Sequence, residues 1–163
     1  MEKFSKEELD ETFISTKRVF EGVLLKVDKD SVKLPNGKIA TRELVRHPGA
    51  VAVVAITEQN EIIFVEQYRY PLGTVMLEIP AGKLDSGEEP LACAKRELSE
   101  ETGFEAAEWI PLNAIATTPG FSDEVIHLFL AKKLKQFGQH TDSDEFITIK
   151  RFSMDTVKMM VAK

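Results

Sequence analysis

The amino-acid sequence predicts an α+β fold with one core. Short runs of β-branched and aromatic residues recur along the chain, one amphipathic helical segment lies in its middle, and no internal repeat or low-complexity stretch is present. The chain has 163 residues, of which 43% are apolar and 29% charged, so it is long and apolar enough to bury a core. This composition argues against a disordered, collagen-like or membrane-spanning chain.

The N-terminal part is expected to form a small antiparallel sheet. β-Branched and aromatic residues recur in short runs over 12–45, and the sequence PNG at 35–37 separates two of these runs. Because Asn and Gly tolerate positive φ, this tripeptide predicts a hairpin turn. The sequence HPG at 47–49 ends the pattern. We therefore divide the chain into an N-terminal β segment, 1–46, and a larger domain, 47–163.

The larger domain is expected to contain a core strand, further strands and two helices. Residues 50–56 are continuously apolar, as in a strand that is covered on both faces. Proline is favoured at the first position of a helix and glycine just after its end, so Pro90 and Gly103 bound the main helix. A short final helix is predicted over 156–162. Further strands are predicted at 62–70, 109–116, 125–134 and 146–152.

Charge and cysteine content narrow the classes of function. The 27 acidic and 21 basic residues give a net charge of −6, which argues against a surface for nucleic-acid phosphates. Cys93 is the only cysteine, so an intramolecular disulfide and a cysteine-rich zinc site are excluded. The first residues alternate in charge and lack the apolar stretch of a secretion signal. We expect a cytoplasmic protein that binds neither nucleic acid nor membranes.

The main helix carries a group of carboxylates on one face. At about 100° per residue, Glu97, Glu100 and Glu101 share one stripe. Carboxylates at i and i+4 repel each other by about 0.2–0.5 kcal/mol unless a cation compensates. Hard divalent cations such as Mg²⁺ bind carboxylates together with substrate phosphates, so this face is a candidate metal site. A neighbouring apolar stripe is expected to attach the helix to the core, and it consists of Leu91, Ala94 and Leu98.

The segment 82–104, GKLDSGEEPLACAKRELSEETGF, resembles the Nudix box. If each residue type makes up about 7% of sequences, chance agreement at seven fixed positions is on the order of 10⁻⁸ per starting position. The alternative, a solvated acidic face beside Lys95 and Arg96, is therefore disfavoured. The resemblance implies a Nudix fold, in which helices enclose a mixed sheet. The matching residues are Gly82, Glu88, Arg96, Glu97, Glu100, Glu101 and Gly103.

The resemblance also implies a metal site. In Nudix enzymes, metal ions bridge a pyrophosphate that is linked to a second moiety, and a metal-bound water attacks phosphorus. Glu97 and Glu101 would be the main metal ligands. Glu100 would be a third ligand, or a residue that supports the ligands without binding the metal itself. The carbonyl group of Ala81 would be a further ligand. We expect more than one Mg²⁺ ion in each site, or Mn²⁺ in its place.

Three further roles are assigned to residues around the metal site. Arg96 would orient a glutamate through a fork-shaped ion pair, the alternative being a surface salt bridge. Glu88 would join the loop before the helix to the helix itself. Relatives of this type often take the general base from a loop near the C-terminal strand, where this chain has DSDEF. Glu145, and after it Asp144, is therefore our candidate for that base, although a solvated loop contains the same residue types.

Segments outside the box resemble the ADP-ribose pyrophosphatases of the Nudix family. They are the sequence from Arg42 to the HPG tripeptide, EQYR at 66–69, LEIPAG at 77–82 and a proline 15 residues after Phe104. The likeness covers about 20–152 and implies metal-dependent hydrolysis of ADP-ribose to AMP and ribose 5-phosphate. Two alternatives stay open: another nucleoside diphosphate sugar as substrate, and a Nudix domain that senses a nucleotide without turnover.

In those relatives two subunits exchange their N-terminal sheets, and the adenine lies between residues of both. The resemblance therefore implies a homodimer with exchanged N-terminal segments and a small nucleotide sugar as the ligand. Solvated loop or sheet-edge charges are the alternative for each polar candidate. The candidate substrate-binding residues are Arg42, Arg69, Glu78, Pro119, Gly120 and Glu124.

Overall fold

The computed structural model describes residues 6–140 and 146–162, which form two units. One unit extends to His47 and also contains Ala116–Glu124, while the other contains Pro48–Ile115 and the chain from Val125 onward. The break after His47 lies one residue beyond our division at 46 and 47. The inclusion of 116–124 in the first unit had no signal in the sequence. That the N-terminal segment serves in dimer formation stays a prediction.

The first unit is a three-stranded antiparallel sheet. A short helix, α1 (Lys6–Leu9), precedes β1 (Thr12–Glu21), β2 (Lys26–Lys33) and β3 (Ile39–Arg46), which pair in the order β1-β2-β3. The hairpin turn between β2 and β3 is as predicted. Gly37 has a φ of 82°, and its N–H donates to the carbonyl oxygen of Leu34 at 2.9 Å.

Ion pairs hold this unit together on one face of its sheet. Asp28 and Asp30 are two residues apart on β2, so their side chains lie on the same face of the sheet, and both are buried. The guanidinium of Arg46 donates to Asp28 at 3.0 Å, to Asp30 at 3.1 Å and to Asp123 at 3.3 Å. Hydrogen bonds from Arg18 and Arg46 lower the pKa of Asp28. Because Asp123 belongs to the segment 116–124, Arg46 binds that segment to β3.

The second unit contains two sheets and two helices. A four-stranded mixed sheet has the order β7-β4-β9-β8, in which β4 runs parallel to β9, and an antiparallel sheet has the order β10-β5-β6. A 3₁₀ turn (Tyr70–Leu72) follows β5. Within the described ranges, no helix is long and apolar enough to cross a membrane. The elements are β4 (Ala50–Ala55), β5 (Glu61–Arg69), β6 (Thr74–Glu78), β7 (Ala81–Lys83), α2 (Pro90–Thr102), β8 (Phe104–Ala116), β9 (Val125–Gln136), β10 (Thr148–Ser153) and α3 (Met154–Val161).

Two short strands, β6 and β7, were not predicted. Strand β7 covers Ala81–Lys83, so it takes in the first two residues of 82–87, a polar stretch with two glycines that we expected to be a loop. Its three residues carry no periodic pattern of their own, and they are extended because they pair with β4, where Ala81 lies opposite Ala52. Strand β8 begins at Phe104, five residues earlier than predicted, because the chain enters the sheet directly after the helix ends.

Helix α2 begins and ends where the sequence predicts. Pro90 is its first residue, and Gly103 follows it with a φ of 67°, a left-handed conformation that favours glycine. Cys93, Ala94 and Leu98 are completely buried against the sheets. The assignment of Leu91 to this attachment was wrong, because 39% of its surface is exposed. The helical period allows either Leu91 or Cys93 to share the buried face of the helix with Ala94. The position of the sheet decides that it is Cys93.

Candidate active site

The loop before α2 is tied into a compact turn by Glu88. Its carboxylate accepts a hydrogen bond from the backbone N–H of Asp85 at 3.0 Å, while its own N–H donates to the carbonyl oxygen of Asp85 at 3.0 Å. The same carboxylate forms a two-pronged ion pair with Arg96, at 3.0 Å and 2.9 Å. This is the connection between loop and helix that the sequence led us to expect.

Arg96 lies among three carboxylates. In addition to its ion pair with Glu88, Arg96 donates through Nη1 to Glu97 Oε1 at 2.8 Å and to Glu100 Oε2 at 3.0 Å. Its Nη2 reaches the carbonyl oxygen of Lys83 at 3.3 Å. One guanidinium therefore offsets part of the repulsion along the acidic stripe and also binds the strand β7. A planar fork of donors suits this arrangement better than the single ammonium group of lysine would.

The charges of these groups depend on one another. The Arg96 hydrogen bonds, followed by the N–H of Asp85, lower the pKa of Glu88 to about 2. The hydrogen bonds to Glu88 are the main cause that raises the pKa of Arg96. Both side chains are therefore charged over the whole physiological range. The Cys93 thiol beneath them has its pKa raised to about 12, chiefly by burial, so it is neutral and unreactive.

Glu97 lies directly against Gly82. A Cβ atom placed on Gly82 would overlap the carboxylate of Glu97, and the backbone of Gly82 is otherwise one that any residue adopts. The missing side chain therefore leaves the space that the carboxylate occupies. This explains in steric terms why a glycine stands at the first position of the motif.

Glu101 is the buried member of the acidic stripe. Only 3% of its surface is exposed, and its Oε2 accepts a hydrogen bond from the backbone N–H of Ala81 at 3.0 Å. Glu97 and Glu101 therefore both reach β7, at neighbouring residues. Glu100 lies at the open side, with 42% of its side chain exposed.

The donor groups at this helix face fit a hard divalent cation. They are carboxylate oxygens and the backbone of Ala81, and carboxylates are the ligands that Mg²⁺ prefers. Among the residues that the structure describes, no three acidic, histidine or cysteine side chains are already arranged as a ligand set. One carboxylate oxygen of Glu97 and one of Glu100 accept hydrogen bonds from Arg96.

Two of the candidate substrate-binding residues, Arg69 and Glu78, contact each other. Arg69 Nε donates to Glu78 Oε1 at 2.8 Å, and Arg69 Nη2 donates to Glu78 Oε2 at 2.7 Å. They lie on the paired strands β5 and β6, in the same unit as α2. Both side chains are partly exposed, at 42% and 27%, so this pair faces solvent on one side.

The remaining described candidates belong to the first unit. Arg42 is paired with Glu11, to which its Nε donates at 2.9 Å. Glu124 accepts a hydrogen bond from Thr117 and lies 3.4 Å from His47 Nε2. Pro119 and Gly120 are exposed in the turn of the segment 116–124. The candidate bases, Asp144 and Glu145, lie outside the described residues.

Two features of the site were not predicted from the sequence. The contact of Gly82 with Glu97 depends on how closely β7 approaches the helix. The second is a set of hydrogen bonds from 137–140 to the end of α2, which join backbone groups and the side chain of Gln139. Hydrogen bonds to backbone carbonyls leave no pattern in residue types, so a single sequence does not show them.

Comparison with known proteins agrees with this arrangement of elements. The NUDIX domain family matches residues 46–163. A solved structure of an ADP compounds hydrolase shares the fold with a TM-score of 0.83, over 98% of this chain and 86% of that one, at 22% identity. The chain therefore belongs to the Nudix family. Nudix hydrolases generally use a divalent metal such as Mg²⁺.

Individual relatives are similar over most of their length. The chain is 50% identical to a methanol dehydrogenase activator of Bacillus methanolicus over 148 residues, which are 90% of this chain and 80% of the relative. It is 43% identical to an ADP-ribose pyrophosphatase of Bacillus subtilis over 155 residues, 94% and 84% of the two chains. An ADP-ribose pyrophosphatase of Mycobacterium tuberculosis is 42% identical over 80% of this chain and 66% of the relative. The predicted family, fold class and hydrolase class are confirmed.

The contact between Gly82 and Glu97 makes a first prediction. Gly82→Ala should lower the hydrolytic rate by about 100-fold, because the new methyl group displaces the carboxylate by roughly 1 Å or more. Thermal unfolding should change little, since the displaced atoms end a flexible side chain. The effect should not add to that of Glu97→Gln, and additive losses in the double variant would contradict the contact.

The ion pair of Glu88 makes a second prediction, on pH. The pKa of Glu88 falls from its ordinary 4.5 to about 2 in the folded protein, so the pair stabilises the fold above about pH 4.5. That stabilisation is lost as the pH falls toward 2. Urea unfolding should therefore show Glu88→Gln to be less stable than the wild type at pH 7, with the difference shrinking below about pH 4.5.

The matched control is Glu89→Gln. Glu89 is the next residue, and its side chain makes no capping hydrogen bond to the helix. This variant should be as stable as the wild type at every pH. A stability deficit of Glu88→Gln that is the same at pH 7 and at about pH 3 would show that its charge is not responsible.

Proposed function

We propose that this protein hydrolyses the pyrophosphate bond of ADP-ribose, giving AMP and ribose 5-phosphate. The observation that carries the proposal is the convergence of Glu97 and Glu101 on β7, with Arg96 holding Glu97 and Glu100. Such a group of carboxylates suits a diphosphate only if cations lie between the two. The names and the similarity of the Bacillus subtilis and Mycobacterium tuberculosis relatives support ADP-ribose as the substrate.

In this proposal Glu97, Glu100, Glu101 and the carbonyl group of Ala81 hold Mg²⁺, or Mn²⁺, with more than one ion in each site. When bound, the metal supplies positive charge that neutralises the diphosphate and stabilises the charge that develops at phosphorus. Arg96 sets the direction of Glu97 and Glu100 and limits their repulsion. The N–H of Ala81 sets the direction of the Glu101 carboxylate.

The substrate contacts and the base complete the proposal. Arg69 and Glu78 form a partly exposed ion pair in the same unit as α2, and a guanidinium can bind phosphate or ribose oxygens. Arg42, Pro119, Gly120 and Glu124, which belong to the first unit, stay candidates for substrate binding. Glu145, or else Asp144, would accept the proton of the attacking water. Another nucleoside diphosphate sugar is the alternative substrate, and nucleotide sensing without turnover is the less favoured alternative.

We further propose a homodimer with exchanged N-terminal segments. Every residue of β1 is exposed in the single chain, Phe13 and Phe20 among them, and the apolar turn at 23–25 that follows the strand is exposed as well. Apolar surface of this extent is rare on monomers and is typical of an interface. A cytoplasmic location also stays a proposal.

A second function is suggested by the relative that is 50% identical, a methanol dehydrogenase activator. In this reading the protein raises the activity of an alcohol dehydrogenase. Addition of the protein to a methanol dehydrogenase, with and without Glu101→Gln, would separate the two functions. Activation that survives the substitution would not depend on hydrolysis, and no activation by either form would exclude this function.

The proposed reaction predicts the behaviour of Glu101→Gln. The amide oxygen can still accept the hydrogen bond of Ala81, so the fold should be kept. The loss of one carboxylate charge should lower the metal-dependent rate at least about 100-fold. The assay measures AMP or other nucleoside monophosphate released from a panel of nucleoside diphosphate sugars, with and without Mg²⁺.

Ser99→Ala on the same helix serves as the control and should keep the wild-type rate. A better substrate than ADP-ribose would replace it as the proposed ligand. Near wild-type turnover by Glu101→Gln would contradict the metal assignment, and ADP-ribose binding without any Mg²⁺-dependent product would support the sensing alternative.

The proposed dimer predicts the effect of Val23→Asp. Val23 is fully exposed in the turn between β1 and β2, so the single chain should fold as before. Burial of an unpaired carboxylate at an interface costs more than about 1.4 kcal/mol, which raises the dissociation constant at least about tenfold. Light scattering coupled to gel filtration measures the change. Met159→Asp, at an exposed apolar residue of α3, should leave the dimer intact, and a monomeric wild type would overturn the proposal.

A further inference from the structure

The chain that follows β9 is bound to the C-terminal end of α2. Residues 137–140, which we call the helix clamp, lie against the last turn of the helix. The N–H groups of Phe137 and Gly138 donate to the carbonyl oxygen of Gly103 at 2.8 Å and 3.3 Å, and the N–H of His140 donates to that of Glu100 at 3.1 Å. Gln139 Nε2 donates to the carbonyl oxygen of Glu101 at 2.7 Å.

Two of these hydrogen bonds, those to Glu100 and Glu101, go to carbonyl groups that a helix cannot satisfy by itself. The last four carbonyl oxygens of an α-helix have no partner within the helix, and solvent or a capping motif usually provides one. In α2 the clamp provides partners for Glu100 and Glu101. These are the residues whose side chains belong to the acidic stripe. The clamp therefore acts on the backbone that carries two of the proposed metal ligands.

The absence of a side chain at Gly103 allows the clamp to come this close. A Cβ atom on Gly103 would overlap the carbonyl carbon of Gly138 and lie 2.5 Å from the backbone nitrogen of Gln139. Because these are backbone atoms, they cannot move aside as a side chain can. Glycine is required here for close packing as well as for its φ of 67°.

Gln139 connects the helix end to a second part of the chain. Its Nε2 also reaches the carbonyl oxygen of Ile147 at 3.4 Å, just before β10. Both partners are acceptors, so only the amide nitrogen can face them, and this determines the orientation of the side-chain amide. The amide is therefore a donor that links α2 to the start of β10.

We propose that Gln139 is a positioning residue, which through the helix clamp holds the last turn of α2 and thereby the carboxylates of Glu100 and Glu101. This inference rests on the proposed function for its catalytic consequence. The positioning itself can be tested without hydrolysis, since the clamp should also determine how well the helix binds a metal ion. Errors of about 1 Å in the placement of a reacting group can cost about 100-fold in rate.

The test compares Gln139→Ala and Gln139→Glu with the control Gln136→Ala. Gln136 precedes the clamp and is exposed, and its side-chain oxygen accepts a hydrogen bond from Arg151 at 3.5 Å. Glutamate has nearly the shape of glutamine but presents two acceptors to the carbonyl oxygens. A donor role therefore predicts that Glu is at least as harmful as Ala, whereas a packing role predicts that Glu is tolerated.

Three quantities are measured. For both Gln139 variants the affinity for Mn²⁺ alone should fall about 10–100-fold, as should kcat with ADP-ribose, while KM changes little. Amide hydrogen exchange should become faster at His140 and Phe137, whose N–H groups bond to the helix end. Gln136→Ala should match the wild type in all three.

Unchanged Mn²⁺ affinity and exchange in Gln139→Ala would overturn the inference, and so would a Gln139→Glu variant that behaves as the wild type. If the wild type does not hydrolyse ADP-ribose, the proposed function fails. The Mn²⁺ affinity and the hydrogen exchange would still decide for or against the clamp in that case.

Discussion

The active-site region depends on one interaction, the contact of the Arg96 guanidinium with the carboxylates of Glu88, Glu97 and Glu100. A helix that carries several carboxylates on one face is opposed by their repulsion, and the fixed positive charge of Arg96 reduces it. The same guanidinium binds the carbonyl oxygen of Lys83, so the strand before the loop is held against the helix. Charge compensation and the placement of the loop therefore come from a single side chain.

The surrounding fold makes this arrangement rigid. Strand β7 is extended because it pairs with β4, and α2 is attached to the sheets through Ala94 and Leu98. Between these two elements a Cβ atom on Gly82 would overlap the carboxylate of Glu97. At the other end of the helix, Gly103 allows backbone to pack against backbone. Both glycines therefore serve close packing around the carboxylates.

The candidate residues are divided between the two units of the chain. The carboxylates and the pair of Arg69 and Glu78 belong to the second unit. Arg42 and the segment 116–124 belong to the first, which is also the unit with the exposed apolar strand β1. This grouping follows from Arg46, which binds Asp123 to the N-terminal sheet. The surface of the proposed dimer and several of the proposed nucleotide-binding residues therefore belong to the same unit.

The sequence by itself determined the family, the bounds of α2, the hairpin at 35–37 and the presence of several glutamates on one face of α2. These depend on residue type and on spacing along one helix or turn. It did not determine the strand β7, the exposure of Leu91, the membership of 116–124 in the first unit or the contacts of Gln139. Each of these depends on partners that are distant in the sequence. Pairing of strands, close approach at a glycine and hydrogen bonds to backbone carbonyls arise only when the chain has folded, so the tertiary structure alone decided them.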